Sequence, residues 1–350
     1  MIWKLNKEML AFEIKKSGAH EASIPIFQNK IEIIPLQFEN VRTPAANILK
    51  QELLACGGDA VTPLSTITGQ TEYVNIITLA TRRQYNILCQ KLAVMPFFNL
   101  DKWKIEIEKI LSGQFPKTVL ANGKIINYDI TLVMGILNLT PDSFFAGSRM
   151  NEKDVLNVAE KMLADGADIL DIGGESTRPD ASKINAVIEM ERILPVLKSL
   201  REKFSKAIIS VDTYHAETAE KVLSLGADII NDGSGQGDLN LIKKVQEYNA
   251  VLVFTHNGSG TVQQIVKNLQ EKTFELGFAK EKIIWDPGIG FGKSHEENLE
   301  IIRDSNVLTN YGYPVLLGTS RKSVIGKVLN VLPNERLAGT LATSVKSVLN

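Results

Sequence analysis

The sequence predicts an α/β protein in which a small N-terminal α/β domain precedes a (β/α)8-type TIM barrel. Short apolar runs recur between residues 131 and 317, each is followed by polar and glycine residues, and a helical segment then leads to the next run. Barrels place their catalytic side chains in this way, at the carboxyl ends of parallel strands. Residues 1 to about 115 lack this repeating pattern of apolar runs, polar loops and helical segments. We therefore predict two domains, 1–115 and 116–350.

The first barrel strand is predicted at Thr131–Leu137. It is almost continuously apolar, as expected of a strand covered on both faces in a parallel sheet. Directly after it, Asn138, Thr140, Asp142 and Ser143 crowd into one loop. Taken alone, this loop is equally well explained as a turn that only reverses the chain.

Six further strands follow the first. They are predicted at Ala167–Ile172, Ala207–Val211, Ala227–Ile230, Ala250–Phe254, Lys282–Trp285 and Pro314–Leu317. This gives seven units, whereas a closed barrel of this type has eight. The sequence ends at Asn350 after a helix that begins near Pro333, so we expect the eighth strand to be missing from this chain.

The N-terminal domain carries its own helix and strand signals, and we assign it no role. We predict a helix from Pro44 to Ala55, a strand over Tyr73–Leu79 and a helix that Thr81 caps and that runs through Leu92. Between the domains, Asn122 and Gly123 form the dipeptide most typical of tight hairpins. We predict a β-hairpin over residues 118–129 that closes the amino end of the barrel.

Composition limits the classes of protein that fit. The 350 residues are 44% hydrophobic and 23% charged with a formal net charge of −1, as in ordinary soluble proteins. Such a charge gives no general reason to bind nucleic acid or an anionic membrane, and no apolar run is long enough to span a bilayer. Cys56 and Cys89 lack metal-ligand spacing, so we expect buried thiols in a reducing cytoplasm.

Four polar residues from four different strand ends predict one binding pocket. They are Asp212, Asn231, Asp286 and Lys322. Two carboxylates, an amide and a cation suit a flat heterocycle with amino, ring N–H and carbonyl groups. Alone, Asp212 is as well explained as a helix cap, and Asp286 as a brace for Gly288. The four together favour the pocket.

The ends of the first two strands indicate a phosphorylated group beside this heterocycle. Gly173 and Gly174 permit close backbone approach, while Thr177 and Arg178 supply a hydroxyl and a guanidinium fork to phosphate oxygens. Asn138 offers a neutral oxygen to Mg²⁺, a cation that keeps several waters and is often bound through substrate phosphates. We therefore expect a phosphorylated leaving group.

At this point the motifs resemble a known family. MGILNLTPDSFF, DIGGESTRP, SVDT, ND, DPGIGFGK and GTSRKS occur in this order and resemble dihydropteroate synthase, a folate-pathway family of pterin-binding barrels. The resemblance covers Thr118 to about Asn350. It implies the joining of p-aminobenzoate to 6-hydroxymethyl-7,8-dihydropterin diphosphate, giving 7,8-dihydropteroate and pyrophosphate. It also implies a homodimer and competition by sulfonamides.

The resemblance implies roles for individual residues. The matches to the family's pterin-binding positions are Asp212, Asn231, Asp286 and Lys322. Asn138 matches its position for Mg²⁺ and pyrophosphate. The matches near the diphosphate are Thr177 and Arg178, and Asp142 matches a carboxylate that stabilises the pterin cation. The wall around p-aminobenzoate is implied to contain Phe291, Ser320 and Lys322. Among these, the catalytic residues are expected to be Asp142, Arg178 and Lys322.

Three departures from the family pattern are visible. Asn257 in THNGSG occupies an apolar position of the family's fifth loop, Asp180 replaces a glycine, and the Arg-x-His motif of the eighth strand is absent from the sequence. Two alternatives remain open. One is a pterin-barrel methyltetrahydrofolate methyltransferase, which NLTPDSF and SRKS argue against because methyl transfer requires no diphosphate site. The other is an inactive relative kept for binding or assembly.

Overall fold

A computed structural model gives the architecture of the chain. It describes residues 2, 5, 7–113, 116–139, 152–175 and 183–349, with the side chains of residues 8, 152 and 153 left out. The chain divides into two compact units, Met1–Gln114 and Phe115–Asn350. Within the described residues, no helix is long and apolar enough to cross a membrane.

The first unit is a small α/β structure with its own apolar core. Its strands are β1 (Ile33–Arg42), β2 (Asp59–Val61) and β3 (Tyr73–Thr81), which form an antiparallel sheet in the order β1–β3–β2. Its helices are α1 (Lys7–Lys16), α2 (Ser23–Gln28), α3 (Thr43–Ala55), α4 (Leu64–Thr68), α5 (Arg82–Leu92) and α6 (Leu100–Leu111). The core is built from one face of the sheet and from α3, α5 and α6.

The two helices and the strand that the sequence predicted in this unit are confirmed as α3, α5 and β3. α3 begins with Pro44 in its first turn, where the missing N–H costs no hydrogen bond. Thr81 caps α5 through a capping box, in which its side chain accepts from the Gln84 amide and the Gln84 side chain accepts from the Thr81 amide. The sequence interpretation missed the strands β1 and β2 and the helices α1, α2, α4 and α6.

The second unit alternates strands and helices. Its strands are β4 (Lys117–Val119), β5 (Ile125–Asn127), β6 (Met134–Asn138), β7 (Ile169–Gly173), β8 (Ile208–Asp212), β9 (Ile229–Asp232), β10 (Val251–Thr255) and β11 (Ile283–Asp286). Its helices are α7 (Glu152–Ala164), α8 (Ala186–Lys203), α9 (Ala216–Ser224), α10 (Leu239–Glu247), α11 (Val262–Leu276), α12 (His295–Arg303), α13 (Asn306–Thr309), α14 (Ser323–Leu329) and α15 (Leu337–Leu349). Short 3-10 helices lie at Lys280–Lys282 and Pro333–Glu335.

Strands β6 to β11 form a parallel sheet in sequential order, which confirms the predicted alternation of barrel strands and helices. Side chains alternate between its two faces. On the outer face, residues such as Leu170 and Ile209 pack with the surrounding helices. On the inner face, Ile169, Ile208 and Ile229 form a separate apolar cluster at the amino ends of their strands. Polar residues occupy the carboxyl ends. The sheet therefore has an apolar end that stabilises the fold and a polar end that carries the candidate site residues.

Two strand predictions need correction. The first strand is covered on one face only, because β6 is an edge strand and Ile136 is 46% exposed on the inner face. The seventh predicted strand is a single parallel bridge between Val315 and Trp285. Pro314 has no N–H to extend that pairing, although its carbonyl accepts from the Trp285 amide at 2.9 Å. The described residues contain no eighth strand.

The hairpin predicted from Asn122 and Gly123 is present as the antiparallel pair β4–β5. Leu120 and Ile126 are buried and belong to the apolar cluster at the amino ends of the barrel strands. The hairpin therefore closes the end of the barrel opposite the polar one, as the sequence predicted.

We expect Ile126→Ala to lower the free energy of unfolding of the second unit by about 2–4 kcal/mol, because it removes a buried side chain from this closure. Ile125→Ala is the matched control, since the neighbouring side chain is 51% exposed. Urea unfolding of the full chain measures both. Equal losses for the two variants would contradict the packing role of Ile126.

Candidate functional site

The polar end of the barrel brings together the residues that end its strands. Gly173 pairs with Asp212, and Asp212 pairs with Asn231, across β7, β8 and β9. Asp286 ends β11 and pairs with Thr255 at the end of β10. Because these parallel strands end at one rim, three of the four predicted pocket residues lie on it directly.

Lys322, the fourth, reaches this rim from the loop before α14. Its ammonium lies 4.5 Å from the centroid of the Phe291 ring, a cation–π arrangement. Burial lowers the pKa of Lys322, while the nearby Asp286 and Asp212 carboxylates oppose that shift. The ammonium therefore interacts electrostatically with both carboxylates and lies over the Phe291 ring.

Asp212 is the most electrostatically perturbed group of the site. Its pKa is raised well above the usual value, first by burial and then by the neighbouring Asp171, Glu189 and Asp232 carboxylates, with Lys322 opposing. In this position the carboxylate is destabilised until a donor pairs with it. Asp212 caps no helix, because α9 begins after His215 without a side-chain cap.

Asp286 both braces a loop and faces the pocket cation. Its Oδ1 accepts a hydrogen bond from the Gly288 amide at 2.7 Å. Burial raises its pKa, while this hydrogen bond and the positive charge of Lys322 lower it. The brace for Gly288 that the sequence left open therefore exists, and it uses one of the two carboxylate oxygens of Asp286.

The sequence interpretation missed a buried carboxylate beneath the rim. Asp171 lies in the middle of β7 and is 5% exposed. Its Oδ2 accepts a hydrogen bond from Nδ2 of Asn231 at 3.1 Å. The signal was available in the sequence, since Asp171 interrupts an otherwise apolar strand, ILDIG, where a charge is costly unless it has a purpose.

The remaining predicted residues divide between the described chain and its gaps. Phe291 is half-buried beside Lys322. Ser320 is exposed in the same loop as Lys322, before α14. Asp142, Thr177 and Arg178 lie outside the described residues.

Asn138 ends β6 beside the glycine that ends β7. A Cβ placed on Gly173 would lie 3.3 Å from Asn138 Oδ1 and 3.8 Å from Asp212 Oδ2, so both side chains border this glycine. Asn138 is itself exposed. One neutral oxygen is a weak site for Mg²⁺ by itself, but it fits a cation that receives its other ligands from substrate phosphates and water.

A second group of possible metal ligands lies nearby. Ligand atoms of Glu175, Glu189 and His215 lie within 4.8 Å of one another. Each side chain already has a protein partner: Tyr214 donates to Glu175, Thr213 donates to Glu189, and the His215 ring bonds the Ile184 carbonyl. These contacts tie the group into the surrounding structure, although Oε1 of Glu189 is buried without a hydrogen-bond partner among the described residues.

The loops after β10 and β11 are tied together by a half-buried lysine. Lys293 donates to the His256 carbonyl at 2.9 Å and to the Phe291 carbonyl at 3.1 Å. Burial lowers the pKa of Lys293 to about 8, and burial with the charge of Lys293 lowers that of His256 to about 4. The atypical Asn257 donates to the Ser234 carbonyl, so it links the fifth loop to the fourth. Both contacts shape the rim.

The barrel unit matches known proteins. The family model described as pterin binding enzyme matches residues 134–350. A dihydropteroate synthase of Clostridium beijerinckii is 42% identical over 229 residues, covering 63% of this chain and 85% of the relative.

Two solved structures share the fold. A Clostridium difficile dihydropteroate synthase, crystallised in the presence of pteroic acid, is 44% identical with a TM-score of 0.59, covering 63% of this chain and 88% of that one. A Yersinia pestis dihydropteroate synthase, solved in a sulfonamide drug complex, is 33% identical with a TM-score of 0.60, covering 64% and 87%.

One further relative also covers much of the N-terminal unit. A probable bifunctional folylpolyglutamate synthase/dihydropteroate synthase of Halobacterium salinarum is 35% identical over 326 residues, which cover 88% of this chain. The chain spans 39% of that relative's length. The N-terminal unit is thus not peculiar to this chain.

The fold and the site define a (β/α)-barrel enzyme with a charged, partly buried pocket at the carboxyl ends of its strands. This chain belongs to the pterin-binding enzyme family, in which the relatives named above are dihydropteroate synthases.

We expect Asp212→Asn to stabilise the ligand-free protein at pH 8, because it removes a half-buried carboxylate whose pKa is raised. The gain grows with the difference between the native pKa and the usual value, because burial penalises the charged form. A raised pKa means that the native state binds the proton more tightly. The gain should therefore shrink as pH falls through the native pKa and vanish near the usual value of 3.8.

Urea unfolding of the full chain between pH 4 and 8 measures this difference. Asp165→Asn is the matched control, because Asp165 is an exposed carboxylate in the same unit, and it should show no such trend. A loss of stability in Asp212→Asn at pH 8 would show that the carboxylate is satisfied without a ligand.

Proposed function

We propose that this protein is a dihydropteroate synthase that condenses p-aminobenzoate with 6-hydroxymethyl-7,8-dihydropterin diphosphate, releasing pyrophosphate. The observation that carries the proposal is the convergence of Asp212, Asn231, Asp286 and Lys322 on one rim. Membership of the pterin-binding family supports it, as do relatives solved with pteroic acid and with a sulfonamide drug.

The pocket chemistry suits a pterin ring. A pterin presents amino and ring N–H donors next to a carbonyl acceptor. Asp212 and Asp286 accept from the donors, Asn231 supplies an amide, and Lys322 donates to an acceptor. Burial raises the pKa values of the two carboxylates, because it removes the water that would solvate their charges. Donors from a ligand supply the hydrogen bonds that this water would have made. Binding energy is thus concentrated on ligands with this donor pattern.

The reaction requires a nucleophile that the substrate itself supplies. The arylamine nitrogen forms a bond to the pterin methylene carbon, the bond from that carbon to the diphosphate oxygen breaks with its electron pair, and the nitrogen loses a proton. If the carbon–oxygen bond breaks first, positive charge develops on the methylene and negative charge on the pyrophosphate. No side chain needs to form a covalent intermediate.

The two developing charges call for separate groups. By the family resemblance, we propose that Asp142 faces the cation and that Thr177 and Arg178 hold the pyrophosphate. We propose Asn138 as the protein ligand of Mg²⁺, which when bound neutralises the leaving pyrophosphate. We place p-aminobenzoate against Phe291, Ser320 and Lys322, where sulfonamides compete with it.

Two further proposals follow from the family. We propose a homodimer, as the resemblance implies, and a cytoplasmic location, which the two free cysteines support.

We expect Asp212→Asn to weaken binding of 6-hydroxymethyl-7,8-dihydropterin by about 10- to 150-fold. A hydrogen bond to a charged group contributes about 1.5–3 kcal/mol, and each 1.4 kcal/mol is tenfold in affinity. Isothermal titration calorimetry measures the dissociation constant, with Asp165→Asn as control. Unchanged affinity in a folded Asp212→Asn protein would remove this residue from the site.

The function itself is tested by pyrophosphate release. We expect release only when both p-aminobenzoate and the pterin diphosphate are present, inhibition by a sulfonamide, and strong suppression when Mg²⁺ is chelated. Binding of the bare pterin should survive chelation, because its contacts involve no phosphate. Sustained pyrophosphate release that is no faster with p-aminobenzoate than without it would contradict the proposed condensation. An undiminished rate in chelator would contradict the role of Asn138.

A further inference from the structure

Asp171 occupies an unusual position for a carboxylate. It lies in the central part of β7, on the inner face between the apolar Ile169 and the rim glycine Gly173, and is 5% exposed. Burial raises its pKa, and its charge also raises the pKa of Asp212. An apolar residue here would cost nothing in desolvation, whereas the buried carboxylate destabilises the fold. A functional contact would explain why a carboxylate stands at this position.

Its contact is with the pocket amide. Oδ2 of Asp171 accepts a hydrogen bond from Nδ2 of Asn231 at 3.1 Å. Asn231 lies on the rim as the direct cross-strand partner of Asp212, and its side chain bonds to the buried carboxylate one layer below. One side of the amide is thus bonded from below, and the other side is left for a ligand.

An amide has two ends of similar shape and opposite hydrogen-bonding character. Rotating it by half a turn exchanges the carbonyl acceptor and the NH₂ donor. A carboxylate only accepts, so it selects the orientation in which Nδ2 points towards it. The carbonyl oxygen Oδ1 is then presented on the other side in a single orientation.

We propose that Asp171 is a positioning residue: it holds the Asn231 amide with Nδ2 towards β7, so that Oδ1 accepts from a ring donor of the bound heterocycle. The inference deepens the proposed function and rests on it. Asp171 itself need not touch the ligand. Its contribution is to prevent the reversed amide, which would set a donor against a donor.

A double-mutant cycle isolates this effect. The four proteins are the parent chain, Asp171→Leu, Asn231→Ala and the double variant, each titrated calorimetrically with 6-hydroxymethyl-7,8-dihydropterin. We expect Asp171→Leu to weaken binding about tenfold in the parent, because the amide orientation is lost. In the Asn231→Ala background the same change should alter affinity by no more than about twofold, the usual limit of additivity.

A conservative variant separates hydrogen bonding from charge. Asp171→Asn removes the negative charge and keeps an oxygen that accepts from Nδ2 of Asn231. Its own NH₂ group can also donate, so both orientations of the Asn231 amide become possible and about half of the molecules keep the binding one. We expect its affinity to stay within about threefold of the parent, well short of the loss in Asp171→Leu. A loss in Asp171→Asn as large as in Asp171→Leu would overturn the proposal, because it would mean that the charge acts on Asp212 directly.

The cycle has distinct failures. Equal losses from Asp171→Leu in both backgrounds would overturn the positioning role and leave the pocket assignment intact. Unchanged affinity in Asn231→Ala would remove Asn231 from the ligand site, which overturns both the positioning role and part of the proposed function. Urea unfolding of each variant checks folding, and if Asp171→Leu does not fold, Asp171→Thr replaces it, since its shorter side chain suits a strand and ends before Asn231.

Discussion

The site depends on one electrostatic balance, between a single ammonium group and two carboxylates that burial destabilises. Lys322 faces Asp212 and Asp286, and each of these carboxylates has its pKa raised by burial more than the lysine lowers it. Removing charges from water is expensive, and one cation does not compensate two anions. A ligand rich in N–H donors supplies the hydrogen bonds that the two carboxylates lack. The pocket therefore binds such a ligand more tightly than one without these donors.

That balance is possible because the barrel changes character along its axis. At the amino ends, Ile169, Ile208 and Ile229 pack against the hairpin residues Leu120 and Ile126 in an apolar cluster. One side-chain layer further, Asp171 begins the polar part, and the rim is charged. Apolar packing at one end stabilises the sheet that holds the charged groups in place at the other.

Chemistry is divided along the same rim. In the proposed function, the pterin contacts come from β8, β9, β11 and the Lys322 loop, whereas Asn138 lies at the end of β6 beside Gly173. A reaction that separates a cation from a leaving anion needs its two stabilising sets at different places. The neighbouring ends of β6 and β7 suit the anion, because Gly173 brings no side chain that would fill this space.

The sequence by itself determined where along the chain the strands, the hairpin and the polar rim residues lie, because each depends on local patterns: apolar runs, an Asn-Gly turn and polar residues directly after strands. It also placed Thr81 and Pro44 at helix starts for local steric and hydrogen-bonding reasons. Only the tertiary structure decided the exposure of Ile136 on the edge strand and the hydrogen bond between Asp171 and Asn231, 60 residues apart. Burial and long-range pairing depend on which strands become neighbours, and no local pattern records that.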